Sequence, residues 1–273
     1  MPYTEAQLRE QFRQAASSLY EANPEALGSE MKPLVDKLYS VEDLYEPSPG
    51  LLARLADYQR WCETRAGENA SHLMEELAFL AFLSLKGCDP SCMCSYQSST
   101  AQLDLVVSGS SYEWARVLDY LHVTDRARRT MVVECKNADD KVSDAQFSRL
   151  CHIVNDMFGA QCDLGIFFTR TGASGFVSCP ENGKQPESER QLRDARATQA
   201  LLHAKHCKYI VVLDDSDITR LGEKGALLRL LEAKVRDVVK AGGIPASSID
   251  GIAVVELPMH LRRHLSPDRQ NSR

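Results

Sequence analysis

Glu134 and Lys136 stand two residues apart at the end of the run Thr130-Met131-Val132-Val133-Glu134-Cys135, whose apolar and β-branched content reads as a β-strand. Side chains two apart on a strand share a face, so Glu134 and Lys136 point together while Cys135 faces the other way. A second strand-like run, Ala101-Gln102-Leu103-Asp104-Leu105-Val106-Val107, carries Asp104 among apolar neighbours. A charge in that setting costs free energy unless it is paired or binds a metal. Two carboxylates and one ammonium are the parts that phosphodiester hydrolysis requires. The carboxylates would hold Mg2+, which keeps some of its waters, polarises a phosphate and lowers the pKa of an attacking water. Lys136 would orient or deprotonate that water and steady the charge developing on the phosphate.

The Glu-x-Lys triplet means little alone, since ~1 is expected by chance in a chain of this length. This chain has three. Glu30-Met31-Lys32 and Glu232-Ala233-Lys234 lie in helical contexts, where residues two apart do not face each other, and they read as surface charges. Glu134-Cys135-Lys136 differs because it closes an apolar strand and follows another strand that carries an Asp.

With these residues in order, the chain resembles the restriction-endonuclease-like, Mrr-like branch of the PD-(D/E)xK nuclease superfamily, as found in bacterial anti-phage effectors. The resemblance is carried by Glu75, then Gln102-Leu103-Asp104-Leu105-Val106-Val107, then Val132-Val133-Glu134-Cys135-Lys136-Asn137. Downstream, Leu164-Gly165-Ile166-Phe167-Phe168-Thr169-Arg170-Thr171-Gly172, Asp194-Ala195-Arg196 and Tyr209-Ile210-Val211-Val212-Leu213-Asp214 are similar to strings in the same branch. It spans about residues 67–215. Two departures stand out: Leu103 replaces the proline before Asp104, and the long gap to Glu134 must hold an insertion carrying Tyr112–Val123.

What the resemblance implies is specific. The fold would be an α/β restriction-endonuclease-like core, with a mixed central sheet flanked by helices. Asp104, Glu134, Lys136 and Glu75 would be catalytic. Mg2+, with Mn2+ as a substitute, would be held by Asp104, Glu134, Glu75 and the backbone carbonyl of Cys135, and Asn137 would lie against the substrate. The substrate would be DNA, cut in restriction or anti-phage defence alongside protein partners of a multi-subunit system. Cutting both strands calls for two active sites, so a homodimer is expected.

Several positions have more than one reading. Glu75 matches the family's Glu-x-Leu pattern, while Glu76 lies closer in helical phase to the main apolar face; Phe79 and Phe82 form a second apolar side around Glu75. Gln146 either contacts phosphate or caps its helix. Arg126, Arg128 and Arg129, just before the catalytic strand, either follow a DNA backbone or form a solvated loop edge. Arg170 lies in the loop Thr169–Gly175, which either cradles a phosphate or simply connects strand to helix.

The elements that must position these residues follow from periodicity. Residues 1–66 read as a helical N-terminal extension, with Leu8, Phe12, Ala15, Ala16 and Leu19 at helical spacing; 67–219 form the nuclease core; and 220–273 form a helical C-terminal extension with a basic tail. Helices are predicted over 68–85, from Ser143 or Asp144 to Phe158, over 189–206 and over 224–241. The first is apolar nearly all round and is expected to be buried. Strands are predicted at 92–98, 101–107, 130–135, 164–168 and 209–213, while Tyr112–Val123 fits helix or strand.

Composition sets the remaining bounds. The 273 residues are 44% hydrophobic and 26% charged, with no apolar run long enough to span a bilayer, so no membrane partner is expected. The opening Met1-Pro2-Tyr3-Thr4-Glu5 lacks the order of a signal peptide, and nine scattered cysteines suit reduced thiols, so a cytoplasmic location is expected. A net charge of −6 argues against coating nucleic acid by bulk electrostatics, leaving local basic clusters to do so. Cys88, Cys92 and Cys94 lack zinc-site spacing, and His203 with His206 fits a helix C-terminus better than a metal. The rival readings are an RNA or single-strand nuclease, and a catalytically silent or partner-activated nucleic-acid-binding subunit, with which the acidic charge and helical flanks are compatible.

Overall fold

The computed structural model describes residues 3–23, 25, 28–65, 70–89, 94–97, 102–121, 130–136, 141–173, 199, 202 and 206–243. Helices α1 (Glu5–Ala22), α2 (Gly28–Asp36), α3 (Val41–Leu44), α4 (Pro49–Thr64) and α5 (Ala70–Leu83) come first. Their starts are written in the sequence: Thr4 with Gln7 and Ser40 with Asp43 form capping boxes, and Ser48 caps α4 with Pro49 in its first turn. Strands β1 (Cys94–Gln97) and β2 (Gln102–Ser108), helix α6 (Tyr112–Tyr120), strand β3 (Thr130–Lys136) and helix α7 (Asp144–His152) follow. Strands β4 (Cys162–Thr169) and β5 (Tyr209–Leu213) and helices α8 (Asp215–Ile218) and α9 (Ala226–Gly243) complete the chain of elements.

The strands form one open mixed sheet in the order β1-β2-β3-β4-β5. β1, β2 and β3 pair antiparallel, whereas β3, β4 and β5 pair parallel. A parallel neighbour needs a crossover, and α7 supplies it between β3 and β4. The ambiguous insertion between Asp104 and Glu134 contains the helix α6. Tyr112, Trp114, Val117 and Leu118 fall on its buried side, and Ser111 caps its first turn.

Alternation along the strands divides the apolar side chains between two layers. Leu105, Val107, Met131, Val133, Cys135, Ile166 and Phe168 pack into the larger core with α4, α5, α6 and α9. Val106, Val132 and Phe167 face α7 and the turn that follows it through Phe147, Leu150 and Val154. The larger core takes in Leu44, Leu51, Leu55 and Tyr58 from the N-terminal segment and Leu227, Leu231 and Val235 from the C-terminal one, so one core runs through all three stretches of the chain. Glycine is required at the join of α6 to the sheet: a Cβ on Gly87, whose φ is +74, would lie 2.4 Å from the Trp114 amide nitrogen.

Three expectations are corrected. α5 buries Leu73, Met74, Leu77, Ala81 and Phe82, but Phe79 and Glu75 are exposed, so no second apolar side encloses Glu75. α1 turns Ala16 and Tyr20 inward and leaves Leu8, Phe12 and Leu19 exposed. Its rotation is set by polar anchors: the Arg13 guanidinium donates to the Leu38 carbonyl and, at 2.6 Å, to Asp43. The helix expected to run to Phe158 ends as α7 at His152 and continues as a π-helical turn, Ile153–Met157. There the buried Lys208 ammonium donates to the carbonyls of Val154, Gly159 and Cys162. Of the expected 189–206 helix, Gln199, Leu202 and His206 are described and are helical. No helix among the described residues is long and apolar enough to cross a membrane.

Candidate active site

The site forms where the β2–β3 ladder ends. Leu105 faces Val133 at the last pair of the antiparallel register, and Asp104 comes next along β2, close enough for its charge to act on Glu134. The ladder hands over at this point to a side chain: the Cys135 amide donates to Asp104 Oδ2 at 2.7 Å. That bond orients the Asp104 carboxylate across β3 and satisfies a backbone donor in the same stroke. Glu134 and Lys136 share the face that carries Val132, as their spacing predicts. Lys136 Nζ is 2.8 Å from Glu134 Oε1.

Like charges brought close on neighbouring strands destabilise a sheet. Here one of the two is also buried, Glu134 being 5% exposed. Burial pushes its carboxyl above the ordinary glutamate range and the Asp104 charge adds to the rise, while Lys136 and then Arg149 pull it back. Glu134 Oε2 is buried with no hydrogen-bond partner among the described residues. A buried orphan oxygen beside a second carboxylate is the environment that a divalent cation relieves, so the donor set suits a hard, oxygen-seeking metal. Among the described residues no group of three His, Cys, Asp or Glu side chains converges, and Asp104 and Glu134 make a pair.

Two neighbours complete the face; the sequence reading placed Thr169 only at the start of the Thr169–Gly175 loop and gave Arg149 no role. Thr169 pairs with Lys136 in the parallel β3–β4 register. It is fully buried, and its hydroxyl is a second orphan, without a hydrogen-bond partner among the described residues. Arg149 reaches in from α7, its guanidinium 3.7 Å from Glu134 Oε1. The phase of α7 was the available signal for Arg149: it flanks the stripe of Phe147, Leu150 and Cys151 that docks on the sheet.

The other expected residues separate. Glu75 is exposed on α5, which packs against the opposite layer, where its charge acts on the buried Cys135 thiol. Burial raises that thiol's pKa well above the usual value, with Asp104, Glu75 and Glu134 adding to the rise. Glu76 is held by Arg54 Nε at 2.6 Å. Gln146 caps α7: its Oε1 accepts from the Ser143 amide at 2.9 Å in a capping box. Arg170 follows β4, where its amide donates to the Lys136 carbonyl at 3.3 Å and its guanidinium lies over the Trp61 ring. Asn137, Arg126, Arg128 and Arg129 lie outside the described residues.

The described residues thus define an α/β protein with an open mixed sheet flanked by helices and a paired-carboxylate site at a strand end. Comparison of the chain with protein-family models, with curated proteins and with solved structures gives no match.

Proposed function

We propose that the chain is a Mg2+-dependent endonuclease of the PD-(D/E)xK type that hydrolyses phosphodiester bonds, with double-stranded DNA as substrate and restriction or anti-phage defence as its setting. The observation that carries this reading is the cross-strand placement of Asp104 and Glu134, one anchored by the Cys135 amide and the other buried with an orphan oxygen against Lys136. DNA and the defence setting rest on the resemblance of the motifs.

Asp104, Glu134 and the Cys135 carbonyl would hold the metal. When bound, Mg2+ would polarise the phosphate and acidify a water. Asp104 enters with its orientation already set by the Cys135 amide, so little reorganisation is needed on binding. Lys136, next to Glu134, would hold the attacking water or the phosphate oxygen that gains charge. Arg149 would add a second positive charge from the α7 side. Glu75 would act from the far rim of the sheet, over the Cys135 position.

Plasmid cleavage tests the reading. The wild type should cut in Mg2+ and not in EDTA, and Asp104→Ala and Lys136→Ala should not cut. Equal behaviour of the wild type and both variants would sink the catalytic assignment.

A partner-activated subunit is the second reading, favoured by the exposed Leu8, Phe12 and Leu19 on α1. Light scattering on the purified chain, followed by the cleavage assay with candidate partner proteins, separates the two: activity that appears only with a partner supports the second.

A further inference from the structure

The outer face of α1 is apolar, and contacts on its inner face keep it turned outward. Phe12 is 64% exposed, Leu19 47% and Leu8 42%. On the inner side, Ala16 and Tyr20 pack with Val35 and Tyr112 in a small cluster of their own. The Arg13 guanidinium donates to Asp43 at 2.6 Å, and the Ser17 hydroxyl donates to a Glu113 carboxylate oxygen at 3.0 Å. At 3.6 residues per turn the inner set and the set formed by Leu8, Phe12 and Leu19 lie about a third of a turn apart. The anchors on one side therefore fix the other towards solvent, and an apolar stripe held out in this way marks an interaction surface.

Three features of the stripe point to a second copy of the same chain. Leu8, Phe12, Ala15 and Leu19 are spaced four, three and four residues apart, the seam of a paired helix. That spacing reads the same in both directions. Two α1 helices laid antiparallel about a two-fold axis between Arg13 and Gln14 would set Leu8 of one copy against Leu19 of the other, and Phe12 against Ala15. The largest side chain of the stripe then meets the smallest, whereas a parallel pair would crowd Phe12 on Phe12 and leave a gap between the two Ala15. Charge is the third feature. Near the axis the exposed residues Gln11, Phe12, Gln14, Ala15, Ser18 and Leu19 are all uncharged, and Arg13 is turned inward onto Asp43. A two-fold contact brings residues near its axis up to their own copies, so a free charge there would meet the same charge.

We propose that α1 is a self-association surface, through which two copies of the chain pair antiparallel along Leu8, Phe12, Ala15 and Leu19. One helix face is small beside the standard interface of about 800 Å² per partner, so the dimer dissociates, with a Kd on the order of 10 µM. The pairing does not rest on the nuclease reading.

Sedimentation velocity of the full chain in EDTA and reductant, from about 1 to 100 µM, is the test. The wild type should pass from monomer to dimer across that range. Phe12→Ala empties a layer of the contact and Ala15→Phe overfills one, so each should raise the Kd by on the order of tenfold or more. The double variant, Phe12→Ala with Ala15→Phe, exchanges the large and small partners and should return to within about threefold of the wild type. Leu52→Ala, which trims a leucine of α4 as exposed as Leu19, should leave the Kd unchanged. Thermal melting confirms that each variant is folded.

A wild type that stays monomeric throughout leaves the stripe to another protein and would overturn the pairing. So would tighter association of Ala15→Phe, as general apolar stickiness requires, a double variant no better than the single ones, or an equal loss in Leu52→Ala. The outcomes also separate the pairing from the nuclease reading. A chain that cuts plasmid as a strict monomer refutes the pairing alone, and one that pairs as expected yet never cuts refutes the nuclease alone.

Discussion

Glu134→Gln should abolish cleavage and at the same time stabilise the metal-free protein. In the native fold the Glu134 carboxylate is buried, feels the Asp104 charge on the neighbouring strand, and has one oxygen on Lys136 and the other on nothing among the described residues. A buried acceptor left unsatisfied costs about 1–3 kcal/mol. Glutamine keeps an acceptor for Lys136, although a neutral one is weaker by about 1 kcal/mol than a charged one. Its amide replaces the orphan oxygen with a donor for Asp104. The balance is a gain on the order of 1 kcal/mol, or about 2–4 °C in melting temperature for a chain of this size.

The pH dependence fixes the cause. Burial raises the Glu134 pKa in the folded protein, so the folded state holds the proton more tightly than the unfolded one. The associated stability is complete below the ordinary glutamate pKa and is lost as pH rises through the folded value. Wild type and Glu134→Gln should therefore melt together at acid pH and separate towards neutrality, the variant being higher. Mg2+ at a hundred times its dissociation constant should add about 2.7 kcal/mol to the wild type and little to the variant. Differential scanning fluorimetry in EDTA and in Mg2+ measures all four conditions. A variant that melts below the wild type at neutral pH without metal, or a gap that does not change with pH, would refute the argument.

The remaining expectations concern neighbouring groups. Asp104→Ala should lose about 1–3 kcal/mol because it strands the buried Cys135 amide, whereas Asp104→Asn should keep the acceptor and the stability but still fail to cut; urea unfolding and the plasmid assay read the two effects separately. Arg149→Ala should slow cleavage by on the order of a hundredfold, with a melting temperature close to that of the wild type, as measured by single-turnover kinetics. Lys208→Met should destabilise by about 3 kcal/mol, since it leaves the carbonyls of Val154, Gly159 and Cys162 without their donor; calorimetry should show a fall of several degrees with no specific effect on cleavage chemistry.

Much of the architecture was legible because it depends on periods and caps that are local properties of the chain. The strand runs around Asp104, Glu134, Phe167 and Val211 alternate or are continuously apolar, and Ser48, Ser111 and Ser143 announce the helices they cap. The shared face of Glu134 and Lys136 follows from the two-residue period of a strand and needed no tertiary information. The rotation of α1 and the exposure of Phe79 were not legible, since hydrophobicity marks a stripe but not which part of it a partner covers. Arg13 anchoring to Asp43 decided the first, and the rotation of α5, which turns Met74, Leu77, Ala81 and Phe82 inward, decided the second.

By itself, then, the sequence determined that one carboxylate and one ammonium share a strand face, and that a second acidic strand lies upstream. Only the tertiary structure decided that the Asp104 charge acts on Glu134, that the Cys135 amide aims Asp104, and that Thr169 and Arg149 join the same face while Glu75 approaches from the other layer. The physical reason is register. Strand period is set residue by residue along one chain segment, whereas which residue faces which across two strands depends on long-range pairing and on the burial of both sheet faces at once.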